Sequence, residues 1–117
     1  MTAPRRPGSA DARAIAAAVS AVPSVAGLDS GRHGEIALLY PGERVPGLRW
    51  TGGRLEIHLR AAFDPAAPRP LAETCQLARA AAADVLGSAA TVDVIVSDVA
   101  LAGQVVGGAS GVRGEEV

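Results

Sequence analysis

Cys75, His33 and His58 are the side chains of this 117-residue chain best suited to attack a carbonyl, hold a metal or move a proton. Their spacing assembles none of those activities. A nucleophile needs an adjacent base and a group that orients the base. Cys75 instead falls on the apolar stripe of a helix, where a thiol behaves as a small hydrophobe. His33 lies in a Gly-flanked turn and His58 on the polar side of a strand, two elements apart. Neither is followed at i+3 or i+4 by a carboxylate that would complete a metal set, so both read as solvated histidines. Glu56, Asp93 and Asp98 would line one face of a sheet if their strands are neighbours, and paired carboxylates can do acid–base work. Nothing in the local pattern isolates or desolvates them. Gly103 to Gly108 lacks the preceding buried strand and following helix of a phosphate cradle. The expectation is a protein with no catalytic residues, no cofactor and no metal.

The most pronounced cluster is basic and aromatic. Arg32, Arg44, Arg49, Arg54 and Arg60 fall in one β-rich region beside Tyr40 and Trp50. A solvated edge is the first reading, a protein-binding rim made by Tyr40, Arg44, Arg49, Trp50 and Arg54 the second, and a nucleic-acid surface the last. The formal net charge of -1 argues against a dominant polyanion-binding face.

The elements that must position these residues are centred on Arg54 to Leu101. Leu55, Ile57, Leu59, Ala61 and Phe63 alternate with Arg54, Glu56, His58 and Arg60, the period of a half-buried strand. After a Pro-rich link from Asp64 to Pro70, the residues Leu71, Cys75, Ala78, Ala82 and Val85 recur at steps of four and three, one stripe of a helix. Pro70 suits the helix start and Gly87 its C-terminal cap. Thr91 to Val96 is a β-branched strand, and the alternation changes parity at Ser97-Asp98, which predicts a bulge or a strand end. The order strand, helix, strand favours a parallel pair joined by a crossover.

Upstream, Ser9 is a candidate N-cap for a helix reaching about Val22, with Ala12, Ile15, Val19 and Val22 on one face and Pro23 ending it. A short extended piece, Val25 to Leu28, follows. Asp29 to Gly34 reads as a turn, Glu35 to Tyr40 as a strand, and Val45 to Trp50 as an edge ribbon or loop because of Pro46 and Gly47. Thr51-Gly52-Gly53 is a hairpin-type turn. Residues 1–8 are expected to be a disordered leader and 102–117 a flexible Gly-rich tail, leaving 9–101 as one domain. The fold class expected is α+β: a mixed sheet of three or four strands with two helices packed on one face, in the order α-β-β-β-α-β.

One cysteine excludes an intramolecular disulfide and any Cys-pair metal motif. No window approaches the roughly 20 apolar residues that span a bilayer. Arg5 and Arg6 ahead of the Ala-rich run from Ala14 to Val22 imitate a secretory signal, but Asp11, Arg13 and the one-sided pattern favour an amphipathic helix.

Helix 1, the segment Ser24-Val25-Ala26-Gly27-Leu28, the strand Leu55-Glu56-Ile57-His58-Leu59, the helix start Pro70-Leu71-Ala72-Glu73 and the strand Val92-Asp93-Val94-Ile95-Val96 together resemble the alkaline shock protein 23 family of envelope stress response proteins. The likeness runs from about Asp11 to Leu101. It is closest to short, actinobacterial-type members, which share Arg32-His33-Gly34-Glu35 and the Pro41-Gly42 to Val45-Pro46-Gly47 segment. The connection from Asp64 to Pro70 departs from the family pattern, where many members have a Tyr-Gly and a shorter link. The resemblance implies a non-enzymatic cytoplasmic protein of envelope homeostasis, held at the inner face of the membrane by a small transmembrane partner and in some members self-associating. It implies no small-molecule substrate and no direct membrane insertion. Two other readings stand beside it: a small single-stranded nucleic-acid-binding module, and a metal or iron–sulfur accessory using Cys75 and a histidine.

Overall fold

The computed structural model describes residues 5–87 and 91–101. Its centre is a ten-residue strand whose alternating pattern gives it one oily and one charged face. The elements are α1 (Ser9–Ser20), β1 (Val25–Leu28), β2 (Ala37–Tyr40), β3 (Glu43–Pro46), β4 (Leu48–Thr51), β5 (Arg54–Phe63), α2 (Leu71–Leu86) and β6 (Thr91–Leu101). Along one edge of β5 runs β6, parallel, from Arg54 beside Thr91 to Phe63 beside Leu101. The other edge is shared end to end. β4 pairs antiparallel with Arg54 to Ile57, and β1 pairs antiparallel with Leu59 to Ala61. β2 and β3 form a separate two-stranded ribbon. The result is an α+β domain with a mixed four-stranded sheet, the class the sequence predicts.

Both helices lie on the oily face. Leu55, Ile57, Leu59 and Ala61 of β5 join Leu48 of β4 and Val92 of β6 beneath Ala12, Ile15 and Val19 of α1 and Ala78 and Ala82 of α2. Many of the helix contributions are alanines, which lets the helices sit close to the sheet and to each other. Full burial of Ile15, Ile57 or Leu59 is worth about 1.5–3 kcal/mol each.

Several details differ from the sequence reading. α1 begins at Ser9 with Gly8 in the cap position and no side-chain cap bond, and it ends at Ser20, before Val22. The stripe of α2 is rotated at its start. Leu71 is 46% exposed and Cys75 half-buried, while Thr74 is 2% exposed and faces the core. Thr74 is tolerated there because its hydroxyl donates to the Ser24 hydroxyl at 2.8 Å, so neither buried group is left unpaired. The parity change in the last strand is a bulge, one of the two outcomes the sequence predicts there: Val96 pairs with Leu59 and Asp98 with Arg60, leaving Ser97 as the extra residue. Of the N-terminal leader, Pro7 is buried and its carbonyl accepts the Tyr40 hydroxyl at 2.5 Å, with the Arg6 guanidinium 4.7 Å from the centre of the Tyr40 ring. Residues 1–4 and the tail 102–117 lie outside the described residues.

Val45 to Trp50 resolves into the end of β3 and most of β4, split at Gly47. The Gly47 N–H donates to the Ile36 carbonyl and its carbonyl accepts from His58 N–H, both at 2.8 Å, so one residue joins the ribbon to the main sheet. It has φ +88°, and a Cβ built there would lie 2.6 Å from Leu28 Cβ. Gly42, in the β2–β3 turn, has φ +70° but nothing within 4 Å of its Cβ position. Gly47→Ala is therefore expected to cost about 2–3 kcal/mol, from the backbone conformation and the clash together. Gly42→Ala carries the conformational part alone, about 1 kcal/mol. Urea unfolding of the two variants checks the difference, and equal midpoints would contradict the close contact at Gly47.

Candidate functional site: the open face of the sheet

The side of β5 opposite the helices carries Arg54, Glu56, His58 and Arg60. Register places Arg49 and Thr51 of β4, and Asp93, Ile95 and Asp98 of β6, beside them. Among the described residues no helix covers this face. Its charges are arranged against one another. Arg54 donates from Nε to Asp93 Oδ2 and from Nη2 to Asp93 Oδ1, both at 2.7 Å, a two-pronged pair across β5 and β6. Glu56 Oε1 lies 3.0 Å from Arg49 Nε, Arg49 Nη2 and His58 Nε2 alike.

His58 is 8% exposed, so the expectation of a solvated histidine is corrected. It sits at mid-strand, where β4 gives way to β1 along the edge of β5. Its own carbonyl accepts from Asp29 N–H at 2.8 Å. The sequence signal was available. On a strand the partner of a histidine on one face stands at i−2, here Glu56, and the helical spacings i+3 and i+4 do not apply.

The bulge aims Ser97 across β5. Its hydroxyl contacts Asp29 Oδ2, just past the end of β1, and the Leu59 carbonyl, which stitches three neighbouring strands on the open face. Gly27 of β1 leaves room for Arg60, whose Nη2 lies 3.5 Å from where a Cβ would stand. The Arg60 Nε is buried without a hydrogen-bond partner.

These contacts set the acidity of the face. The hydrogen bond from His58, followed by the charge of Arg49, holds the Glu56 carboxyl below its ordinary range. The Ser97 hydroxyl and then the Gly31 N–H do the same for Asp29, and Arg54 does so for Asp93. Glu56 and Asp93 are register neighbours, as the sequence allowed. Each has its own arginine, so they do not form a shared-proton dyad.

The five residues of the expected rim are separated. Arg49 and Arg54 lie on the open face. Tyr40 is on the ribbon, engaged with Pro7 and Arg6. Arg44, also on the ribbon, donates to the Gly34 carbonyl. Trp50 is on the helix side of β4, packed against the core and paired with Leu55, where it offers no stacking platform on the open face. His33 is exposed in its turn, its N–H donating to Glu35 Oε1 at 2.9 Å.

Elsewhere, Pro23, Ser24, Ala62, Asp64, Ala67 and Arg69 line an open cleft of about 200 Å³ near the start of α2. Both of its charged side chains are engaged locally, Asp64 with the Ala66 N–H at 3.0 Å and Arg69 with Glu73 at 3.2 Å. Among the described residues no group of three or more His, Cys, Asp or Glu side chains is placed to hold a metal ion, and no helix is long and apolar enough to cross a membrane. Compared with protein-family models, with curated proteins and with solved structures, the chain matches none.

The depressed acidities fix how stability responds to pH. A carboxyl whose folded pKa lies below its unfolded value stabilises fully above the ordinary carboxylate range, about 4, and that contribution is lost as pH falls through the folded value. Glu56, Asp29 and Asp93 all have this sign. The urea midpoint should therefore hold from neutral pH to about 5 as far as these groups are concerned, then fall steeply as they protonate. In Glu56→Gln, which has no carboxyl to titrate, the acid limb should be shallower. Superimposable acid limbs in the two proteins would show that Glu56 is not held ionised by its neighbours.

Proposed function

We propose that this chain is a non-enzymatic protein-interaction or scaffolding module of envelope stress response and homeostasis. It acts at the cytoplasmic side of the membrane through a small transmembrane anchor protein. The observation that carries the reading is the asymmetry of the sheet. One face is sealed by two helices, and the other, which no helix of the described residues covers, is crossed by mutually neutralised charges. Such a surface is suited to a protein partner. Burying it leaves few unpaired charges, because Arg49, Arg54, Glu56, His58 and Asp93 already hold one another. The resemblance of the β5, α2 and β6 segments to the alkaline shock protein 23 family supplies the cellular setting.

The test is fractionation of the native host carrying tagged protein, with identification of what co-purifies from the membrane pellet. Recovery there with a small transmembrane protein is the expected outcome. Arg49→Glu addresses the open face and Arg44→Glu the ribbon. Arg49→Glu should weaken co-purification several-fold while circular dichroism stays unchanged. Recovery undiminished by either charge reversal would reject both surfaces. A wholly soluble protein that binds single-stranded DNA or RNA with a steep salt dependence would replace the reading altogether.

A further inference from the structure

Among the described residues β6 is paired along one edge only, by β5. No strand of the described residues meets its other edge, and an open edge 11 residues long presents a row of unpaired N–H and C=O groups, a template for pairing with another chain. Among the described residues the one hydrogen bond to a backbone group of β6 from an element other than β5 is at its start, where Arg79 Nε donates to the Val92 carbonyl at 3.2 Å. Beyond that guard the strand reads Asp93-Val94-Ile95-Val96-Ser97, a near-palindrome with polar ends and an apolar middle. Ile95 stands on the open face and is 36% exposed.

We infer that this edge pairs antiparallel with the same edge of a second copy of the chain, about a twofold axis through Ile95. The palindrome is what selects a second copy as the occupant. With the axis at Ile95, that residue meets its own counterpart on the open face, and Val94 meets Val96 of the second copy twice on the helix side. These are apolar pairs of the type that stabilises antiparallel sheets. Asp93 falls opposite Ser97, so no carboxylate faces a carboxylate. The pairing has natural ends: Asp98 comes level with Val92 of the second copy, whose carbonyl already holds Arg79, and there the bulge changes which side chains share a face. A pairing of this kind uses the same surface on both copies and closes on itself, giving a dimer with a continuous eight-stranded sheet and not a filament. The inference does not rest on the proposed membrane role, since it concerns the edge of the sheet and not the Arg49–Glu56 region of its face.

The test is sedimentation velocity on the full chain over a range of concentrations, with Ile95→Lys and Ile95→Glu as variants. The wild-type chain should sediment at twice the monomer mass at high concentration and dissociate on dilution. Each variant alone should stay monomeric, because identical charges meet at the axis. An equimolar mixture of the two should recover the dimer, because a lysine then meets a glutamate. Ile95 is outside the helix-covered core, so unchanged circular dichroism is expected of both. A wild-type chain that is monomeric at the highest concentration would overturn the inference. So would variants that dimerise alone, or a mixture that does not, since residue 95 would then not lie at the axis.

Discussion

The alternation of apolar and charged residues along β5 is the constraint that the rest of the molecule obeys. A strand with period-two patterning can bury only one face, and β5 buries Leu55, Ile57, Leu59 and Ala61 under both helices. Its two edges are occupied as well, by β6 on one side and by β4 and β1 in succession on the other. A slip of β5 by one residue against its neighbours would turn Arg54, Glu56, His58 and Arg60 toward the helices. Register is therefore held by the cost of misplacing charge as much as by the contacts it makes.

From that constraint follows the division of labour between the faces. The helix side is built from small aliphatic residues, with Thr74 and Ser24 as a self-satisfied polar pair. The open side is built from charges that satisfy each other across strands, Arg54 with Asp93 and Arg49 with Glu56. The ribbon of β2 and β3 belongs to neither layer. It is attached through Gly47, whose two backbone hydrogen bonds reach Ile36 and His58, and Leu38 and Val45 contribute its share of the core.

Elements with strong periodicity were legible in the sequence: α1 by Ala12, Ile15 and Val19, β5 by its alternation, and the bulge of β6 by the change of parity at Ser97. What was not legible depended on tertiary context. Thr74 reads as a polar helix residue until Ser24, fifty positions upstream in the chain, is placed beneath it. Val45 to Trp50 could not be divided by pattern alone, because the break falls at a glycine that lies against Leu28 and bonds both Ile36, just ahead of β2, and His58 of β5. The residues of the expected rim are divided between surfaces for a similar reason. Tyr40, Trp50 and the arginines are close in sequence, but successive strand residues point to opposite faces, and Trp50 went in while Arg49 went out.

The carboxylate of Glu56 also decides something about its neighbour that burial alone does not. An ionised carboxylate oxygen can only accept, so the ring nitrogen that meets it, Nε2 of His58, must carry a hydrogen. The neutral imidazole is thereby locked in one tautomer, and its lone pair is assigned to Nδ1. For as long as Glu56 stays ionised, a neutral residue 58 can serve any further neighbour through that nitrogen only as an acceptor.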